Sequence, residues 1–479
     1  VIMEILVTAV QSGFASLASY LAAHVLLCLV PAFFIAGALS ALVPQAAITR
    51  YLGPGAPKWI AYPAAAGAGS LLAVCSCTVQ PLFAGIYKKG AGLGPAITFL
   101  FFAPAANILA LSYTGVALGA DFAIARVVLA LSFGIGIGMI MAIIFRKSEA
   151  ARQGDAAAFA EHVAVPRKTL LFVGTLVTLL IAGTLKLDFL NVAIGSWTLP
   201  WAEASAWQGL LEHWVPANPA LGAESLSLQG ALLLILLGLI GVLAWRGLGR
   251  VDERISRQTI VTLWLIFGTL VLAALTVKLE GGGLSLTITG RTLAVVALCA
   301  LLVPQARRFD PWDMQQWLWE TWRFVKLIFP LLIVGVFAVG VIRVFIDPEW
   351  IRAIAGSNTV LANLAGVVFG VFMYFPTLVE VPVAKMFLSL GMHPGPLIAY
   401  LMADPELSLQ SILITAAIIG KRKAWTYVGL VAVFSTLAGL TYGAWVDGVS
   451  PYSLSIAVAT FVGLLVLSLH LIEQRRSSC

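Results

Sequence analysis

Long apolar runs separated by short polar clusters dominate the chain. A helix needs about 20 apolar residues to cross the hydrocarbon core of a bilayer. Runs of that kind lie at residues 22–48, 93–116, 121–145, 168–189, 228–246, 260–279, 287–305, 325–346, 396–418, 424–443 and 451–472. Two further apolar segments, 60–90 and 358–390, are interrupted by glycine and proline. The pattern predicts an all-α polytopic membrane protein with about 11 transmembrane helices.

Composition supports a lipid environment. Of the 479 residues, 60% are apolar and only 11% are charged, whereas soluble domains carry about 25% charged residues. The net charge of +7 comes from short basic clusters between apolar runs rather than from one basic face, so we expect no nucleic-acid partner. The sequence contains no phosphate-binding loop. We therefore expect a membrane protein that is not an enzyme and needs no cofactor.

The basic clusters also predict an orientation. Cytoplasmic loops of membrane proteins are rich in Lys and Arg, and five clusters are assigned to the cytoplasm on this basis. They are Arg146 to Lys168, Arg246 to Arg257, Arg307 to Lys326, Lys421 to Lys423, and Arg475 with Arg476. Segment 190–227 has no Lys or Arg but four tryptophans, which is typical of an interface on the outer face. The first ten residues do not resemble a cleavable signal. The prediction is a multi-pass protein of the bacterial inner (plasma) membrane with a cytoplasmic C-terminus.

The sequence repeats itself at an offset of 301 residues. Cys75-Ser-Cys-Thr-Val-Gln-Pro81 aligns with Pro376-Thr-Leu-Val-Glu-Val-Pro382. The same offset pairs Gly90 with Gly391, Gly94-Pro95 with Gly395-Pro396, Pro104 with Pro405, and Gly119 with Gly420. We interpret residues 1–146 and 306–445 as two repeats, and the basic clusters make the second repeat inverted. Residues 147–305 form a middle section with four transmembrane helices, and 446–479 hold a final helix and a cytoplasmic tail.

Alternation of the loops across the membrane requires that one segment in each repeat turns back. Segments 60–90 and 358–390 are the best candidates, with Cys75–Thr78 and Pro376–Glu380 at the tips of re-entrant hairpins. Irregular backbone at membrane depth is tolerated only where protein or a wet cavity surrounds it, so we expect the two tips to meet near the midplane. Each repeat is also expected to open with an amphipathic helix, over residues 3–20 and 312–323.

Cys75 and Cys77 carry the most distinctive chemistry. Thiolates are soft ligands, and two of them at an unwound turn can grip one soft atom, so the pair is a candidate substrate site and a candidate ligand set for a soft metal ion. Cysteine is also a small apolar residue that packs well, and both interpretations stay open. Further candidates for substrate binding are Ser76, Thr78, Gln80, Asn107 and Thr377.

Four charged residues inside apolar segments are candidates for proton coupling, because intramembrane charges are costly and mark transport pathways. Glu380 lies at the second hairpin tip, and Lys385 is a candidate partner for it. Asp404 and Glu406 flank Pro405 at a proline-broken stretch that mirrors Phe101–Asn107. The alternatives are a structural ion pair or a snorkelling lysine, and carboxylates that cap a helix N-terminus.

These motifs together resemble a known family. Cys75-Ser-Cys-Thr-Val-Gln-Pro-Leu-Phe83, Gly90-Ala-Gly-Leu-Gly-Pro95 and Phe101-Phe-Ala-Pro-Ala-Ala-Asn107 are similar to a family of bacterial permeases that includes the organoarsenical efflux permeases. The resemblance implies an inner-membrane secondary transporter. It covers both repeats and is weakest over residues 147–305.

The leading hypothesis is a proton-coupled secondary transporter that exports a small soft or thiol-reactive solute, with trivalent organoarsenicals as the specific prediction. Alternative solutes are a sulfur-containing anion or a soft metal ion. An alternative of another class is a membrane thiol–disulfide oxidoreductase that uses Cys75 and Cys77. The expected partners are a small-molecule solute and the lipid bilayer, and a homo-oligomer is compatible with the sequence.

Overall fold

The structure is a computed structural model. It describes residues 2–464 apart from 54, 73–75, 107, 151–164, 185–189, 202, 216–224, 252–254, 281–282, 346–347, 373–376, 451, 455 and 462. The helices are α1 Ile2–Tyr20, α2 Val30–Ala41, α3 Gln45–Leu52, α4 Lys58–Leu72, α5 Ser76–Lys88, α6 Leu93–Ala105, α7 Ile108–Ala117, α8 Ala120–Ile144, α9 Arg167–Thr184, α10 Ala204–Trp214, α11 Leu228–Gly247, α12 Arg257–Ala274, α13 Gly290–Ala306, α14 Pro311–Arg343, α15 Pro348–Ala355, α16 Val360–Phe372, α17 Thr377–Ser389, α18 Pro394–Leu407, α19 Leu409–Ile419 and α20 Lys421–Val446. A π-helical stretch, Leu21–Leu29, joins α1 to α2, and a 3₁₀ turn, Leu248–Arg250, follows α11. The strands are β1 Ala193–Leu199, β2 Thr276–Glu280 and β3 Gly283–Thr289.

The helices are those of a polytopic membrane protein. Within the described residues, six helices are long and apolar enough to cross a bilayer, namely α8, α9, α11, α12, α14 and α20. Two helix pairs also qualify when taken together, but each is bent: Leu6–Tyr20 with Val25–Ala41 by 51°, and Pro394–Leu407 with Leu409–Ile419 by 47°. The all-α polytopic class is therefore confirmed, while the number of eleven crossings stays a prediction.

The chain divides into two compact units. Unit 1 comprises Val1–Pro44 and Val163–Val341, and unit 2 comprises Gln45–His162 and Ile342–Cys479. In unit 1, helices α9, α11, α12 and α13 surround an apolar core that includes Leu26, Leu179, Leu233, Val295 and Cys299. The boundaries of the repeats and of the middle section remain predictions.

Unit 1 contains two features that the apolar pattern did not predict. One is an antiparallel sheet of order β1-β3-β2, in which Trp197 of β1 is exposed. The other is α14, where the sequence indicated an amphipathic helix followed by a separate span. The structure has one helix of 33 residues there, because only Pro330 interrupts the helical pattern and a membrane helix tolerates a single proline.

The sequence repeat corresponds to two matching sets of helices in unit 2. Helices α5, α6, α7 and α8 begin 301 residues before α17, α18, α19 and α20, respectively. Helix α6 packs between α4 and α8, and α18 packs in the same way between α16 and α20. The short helices α5 and α17 each contact a helix of the other half: α5 contacts α19, and α17 contacts α7. This crossed packing is what a pseudo-two-fold relation between two repeats produces.

Matched glycines explain why both halves adopt the same backbone. Gly119 and Gly420 have φ of 111° and 87° just before α8 and α20, a region that side chains other than glycine rarely adopt. A Cβ on Gly138 would lie 2.6 Å from the Gly94 carbonyl oxygen, and a Cβ on Gly439 would lie 2.6 Å from that of Gly395. Each glycine therefore permits the close contact of two helices at equivalent points.

The predicted hairpins appear as pairs of short helices. Residues 73–75 separate α4 from α5, and residues 373–376 separate α16 from α17; both of these connections lie outside the described residues. The rest of the predicted tips, residues 76–78 and 377–380, forms the first turns of α5 and α17. Helices α4 and α5 have 15 and 13 residues, or about 20 Å each at 1.5 Å per residue. Each helix is shorter than the hydrocarbon core of about 30 Å. That the chain turns back within the membrane stays a prediction.

Candidate functional site

Two helix breaks lie at equivalent positions in unit 2. Helix α6 contains Pro104 and ends at Ala105, and α18 contains Pro405 and ends at Leu407. A proline inside a helix removes one backbone hydrogen bond and crowds the preceding turn. Each break therefore exposes carbonyl groups that need other donors. Asn107, predicted at the first break, lies outside the described residues.

Arg126 of α8 donates a hydrogen bond to a free backbone carbonyl group at the first break. Its side chain is fully buried, and its Nε donates to the carbonyl oxygen of Ala105 at 2.7 Å. One terminal nitrogen donates to the Thr114 hydroxyl on α7 at 3.2 Å. The other donates to Glu380 Oε1 at 2.8 Å and to the Leu401 carbonyl oxygen of α18 at 3.4 Å. One guanidinium group thus joins α6, α7, α17 and α18.

The two members of this ion pair occupy helix ends that suit their charges. Arg126 contacts the C-terminal end of α6, where the helix dipole favours a cation, and Glu380 lies in the first turn of α17, where the dipole favours an anion. Both side chains are almost completely buried, at 0% and 1% exposure. Within the described structure, Glu380 Oε2 is also buried and has no hydrogen-bond partner.

The sequence analysis chose the wrong partner for Glu380. Lys385 is exposed, and Arg126 forms the ion pair. Lys385 is eight residues beyond the start of α17, whereas Glu380 is in its first turn, so the two do not share the buried end of the helix. The signal for Arg126 was present, since it is the one basic residue within the apolar run 121–145.

The second break has the opposite chemistry. Glu406 is buried near the end of α18 and accepts a hydrogen bond from the Tyr427 hydroxyl of α20. Tyr427 is 301 residues after Arg126, and Glu406 is 301 residues after Ala105. The same pair of positions thus holds a cation with a backbone carbonyl in one half and a carboxyl group with a phenol in the other.

Asp404 lies beside the second break and is also fully buried. Its backbone nitrogen packs against Gly370 of α16, where an added Cβ would approach it to 2.9 Å. Gly69 of α4 packs in the same way against Ala103 in the other half, at 3.0 Å. The two halves therefore share this close backbone contact. The second half has the Asp404 carboxylate at the position where the first half has Ala103.

Among the predicted substrate-binding residues, two have described side chains. Thr78 and Gln80 of α5 are buried, and Gln80 Oε1 accepts a hydrogen bond from the Thr415 hydroxyl of α19 at 3.2 Å. Cys75 lies outside the described residues, and so do the side chains of Ser76, Cys77 and Thr377. On α19, Gln410 is buried and neither amide atom has a hydrogen-bond partner in the described part of the chain.

A second polar cluster, which the sequence analysis missed, ties three helix ends together. Glu149, just after α8, accepts hydrogen bonds from the Tyr87 hydroxyl at 2.8 Å and from Lys423 Nζ. Tyr87 is at the end of α5 and Lys423 at the start of α20. We call these three residues the helix-end cluster. It holds the C-terminal end of a hairpin helix against the two longest helices of unit 2.

The side chains that the structure describes do not form a conventional metal site. Among the described residues, no group of three His, Cys, Asp or Glu side chains has the geometry to hold a metal ion. Buried Cys299 belongs to the apolar core of unit 1. A soft ion bound by Cys75 and Cys77 stays a prediction.

Comparison with known proteins agrees with this architecture. A family model described as "Predicted permease" matches residues 11–444. The chain is 32% identical over 446 residues to a UPF0718 protein of Methanocaldococcus jannaschii, covering 92% of this chain and 98% of the relative. It is 27% identical over 141 residues to the UPF0718 protein YraQ of Escherichia coli, covering 29% of this chain and 38% of that protein. No solved structure matches. This multi-pass membrane protein belongs to the predicted permease family.

Proposed function

We propose that this permease is a proton-coupled secondary transporter whose solute passes the two helix breaks of unit 2. The observation that carries the proposal is the buried polar network at those breaks, with Arg126 and Glu380 at one and Glu406 and Tyr427 at the other. Matched breaks in two repeats are typical of transporter binding sites. A packed apolar interface would be no less stable than buried charges, so stability alone does not account for the network.

Proton coupling is supported by the balance of charge. The break region holds one guanidinium group, on Arg126, and three buried carboxyl groups, on Glu380, Asp404 and Glu406. The ion pair neutralises one carboxylate. Glu406 accepts a hydrogen bond from the neutral Tyr427 hydroxyl, and a negative charge on it in a low-dielectric interior is costly unless a proton or a cation joins it. Glu406 is therefore the preferred proton carrier, and Asp404 beside the same break is the second candidate. Lys385, which is exposed, has no part in this network.

The preferred solute is a trivalent organoarsenical, exported from the cell. Cys75 and Cys77 would contact the soft arsenic atom, because thiolates prefer soft ions. Ser76, Thr78, Gln80, Asn107 and Thr377 would line the path beside them. Gln80 supports this assignment, since it lies buried on α5 five residues after Cys75 and contacts the opposite half through Thr415.

Arg126 favours a second candidate solute, a sulfur-containing anion. A guanidinium group recognises planar or tetrahedral oxyanions through paired N–H donors. A soft metal ion would need the two thiolates but not the guanidinium group. A thiol–disulfide oxidoreductase would need neither the breaks nor the buried carboxyl groups.

Uptake into everted membrane vesicles tests these proposals. The panel contains methylated trivalent arsenicals, arsenite, Cu(I) and thiosulfate, each measured with and without a proton gradient. We expect gradient-driven accumulation of one class, loss of the gradient effect in Glu406→Gln, and loss of arsenical transport when Cys75 and Cys77 are both replaced by serine. The matched control is Gly429→Ala, because a Cβ there meets nothing within 4 Å.

The other outcomes separate the rivals. Equal flux with and without the gradient would indicate a channel, and unchanged arsenical efflux in the double serine variant would exclude thiol contact. Reversible oxidation of the cysteine pair without any flux would favour the oxidoreductase. The proposed inner-membrane location with a cytoplasmic C-terminus is tested by protease protection of a C-terminal tag in the same vesicles.

A further inference from the structure

We infer that Arg126 is the binding residue for an anionic group of the solute, and that Glu380 is an internal substitute that occupies Arg126 when the solute is absent. The inference rests on the proposed transporter function with its second candidate solute, and names the chemical class of that solute: a small anion with two or more terminal oxygens, such as a carboxylate or a sulfur oxyanion. A proton accompanies the anion, because Glu380 must lose its charge when it gives up Arg126.

The first step concerns the contribution of a buried ion pair to stability. Replacing a buried ion pair by apolar residues of similar volume is often neutral or stabilising. An apolar pair of similar volume would therefore stabilise the fold as well as Arg126 and Glu380 do. Charges in membrane-spanning helices mark sites of solute or ion binding by default.

The second step concerns the geometry of the guanidinium group. Its Nε and one terminal nitrogen are held by Ala105 and Thr114, at 2.7 and 3.2 Å. The remaining terminal nitrogen points to Glu380 at 2.8 Å. The same nitrogen also donates to the Leu401 carbonyl oxygen at 3.4 Å. Four acceptors thus surround the group, and Glu380 is the one negatively charged acceptor among its described contacts. An incoming oxyanion can take that place without disturbing the other contacts.

The third step concerns Glu380 itself. It binds Arg126 through one oxygen, and its other oxygen is buried without a hydrogen-bond partner among the described residues. A carboxylate retained purely for structure would be expected to satisfy both oxygens. Glu380 is also carried by α17, a helix of 13 residues, whereas Arg126 is carried by α8, a helix of 25 residues.

Charge conservation then sets the stoichiometry. The Arg126–Glu380 pair is neutral. An anion that binds Arg126 leaves the Glu380 carboxylate uncompensated in a low-dielectric site, so one proton binds Glu380 for each anion admitted, and a monovalent anion then leaves the site neutral. No covalent bond forms or breaks.

Other titratable groups on the neighbouring helices must be distinguished from Glu380. Besides Glu380, the charged and titratable residues on α7, α8, α17 and α18 are Tyr113, Asp121, Arg126, Lys385, Tyr400, Asp404 and Glu406. Asp404 and Glu406 are the two that compete for the same proton. Asp121 is exposed on α8, so Asp121→Asn serves as the control for Glu380→Gln.

The test measures anion binding and proton uptake together, using the full-length protein in detergent. Formate, thiosulfate and sulfate are the probes, with gluconate holding ionic strength constant, and the change in pH of a weakly buffered solution reports protons. We expect wild-type protein to take up about one proton per formate or thiosulfate bound. Glu380→Gln should bind about tenfold more tightly, by roughly one charge-assisted hydrogen bond, with no proton uptake.

Two further variants complete the test. Asp121→Asn should keep the proton taken up with the anion, and the double variant Arg126→Gln/Glu380→Gln should fold but bind none of the probes. Wild-type protein that binds none of the three, or binds them without a proton, overturns the inference, as does unchanged binding in the double variant. These wild-type measurements decide the matter even if Glu380→Gln does not fold.

Failure of this inference and failure of the proposed function give different results. If an uncharged arsenical shows gradient-driven flux but no anion binds, the transporter proposal is supported and the proposed anion site is overturned. If an anion binds with proton uptake but shows no flux in proteoliposomes, the anion site is supported and the transporter proposal is overturned.

Discussion

The two halves of unit 2 share one backbone plan and differ in their buried chemistry. Helices α5 to α8 and α17 to α20 start at the same offset, and the glycines at 119 and 420 have similar positive φ. At the breaks, however, Arg126 contacts a backbone carbonyl in one half, and Tyr427 contacts the carboxyl group of Glu406 in the other. The shared positions are those that set helix ends and close packing. The differing positions carry the buried charge, so substitutions there can separate the proposed roles of the two halves.

Removing Arg126 should produce the largest effect. Arg126→Met leaves Glu380 buried without its cation, and breaking a buried pair in this way costs about 3–5 kcal/mol. The matched change in the other half, Tyr427→Phe, removes one neutral donor and should cost about 1 kcal/mol. Thermal unfolding of both variants in detergent measures the difference.

A double variant tells a structural role from a functional one at the same site. Arg126→Met/Glu380→Leu should regain most of the stability, because an apolar pair replaces the buried charges, yet it should not transport. A double variant that transports normally would show that the ion pair has no function.

The second effect tests close packing at matched glycines. A Cβ on Gly439 would lie 2.0 Å from Asn363 Oδ1, and one on Gly138 would lie 2.3 Å from Thr98 Oγ1. Overpacking of this kind costs about 1–3 kcal/mol, so Gly439→Ala and Gly138→Ala should both lower the unfolding temperature. Gly429→Ala on the same helix as Gly439 is the control and should be neutral or slightly stabilising. Equal effects at all three positions would contradict the packing argument.

These contrasts also show what the sequence could reveal. Pro104, Pro405 and the matched glycines act on their own backbone, so the breaks and the repeat could be predicted from residue type and spacing. The partner of Glu380 could not, because Arg126 is 254 residues away and periodicity carries no information on which helices meet. One arginine also changes the average hydropathy of a 25-residue helix very little. The sheet was missed because β1 lies in a tryptophan-rich segment that fitted an interfacial region equally well.

The third effect concerns the glycines that begin α8 and α20. Gly119 and Gly420 have φ of 111° and 87° with ψ of 156° and 151°, a region that only glycine adopts without strain. Gly119→Ala and Gly420→Ala should each cost about 1–2 kcal/mol, and by similar amounts, since the backbone is the same in both halves. Space is not the cause, because a Cβ at either position meets nothing within 4 Å. A large difference between the two unfolding temperatures would indicate that the halves are less alike than their backbones suggest.

The prediction with the smallest expected effect concerns a cluster of side-chain contacts that has no counterpart at the positions related to it by the repeat. Tyr87, Glu149 and Lys423 form the helix-end cluster, whereas the positions related to them by the repeat are Leu388, Ser450 and Phe122. Tyr87→Phe should cost about 1 kcal/mol, the net value of one buried hydrogen bond. Glu149→Gln should cost about the same, because glutamine keeps an acceptor for both donors while losing the charge that Lys423 needs. The two changes share one acceptor, so their combined cost should be less than the sum of the single costs. Simple additivity in unfolding measurements would mean that the cluster does not act as a unit, and the end of α5 would then be held in place by apolar packing alone.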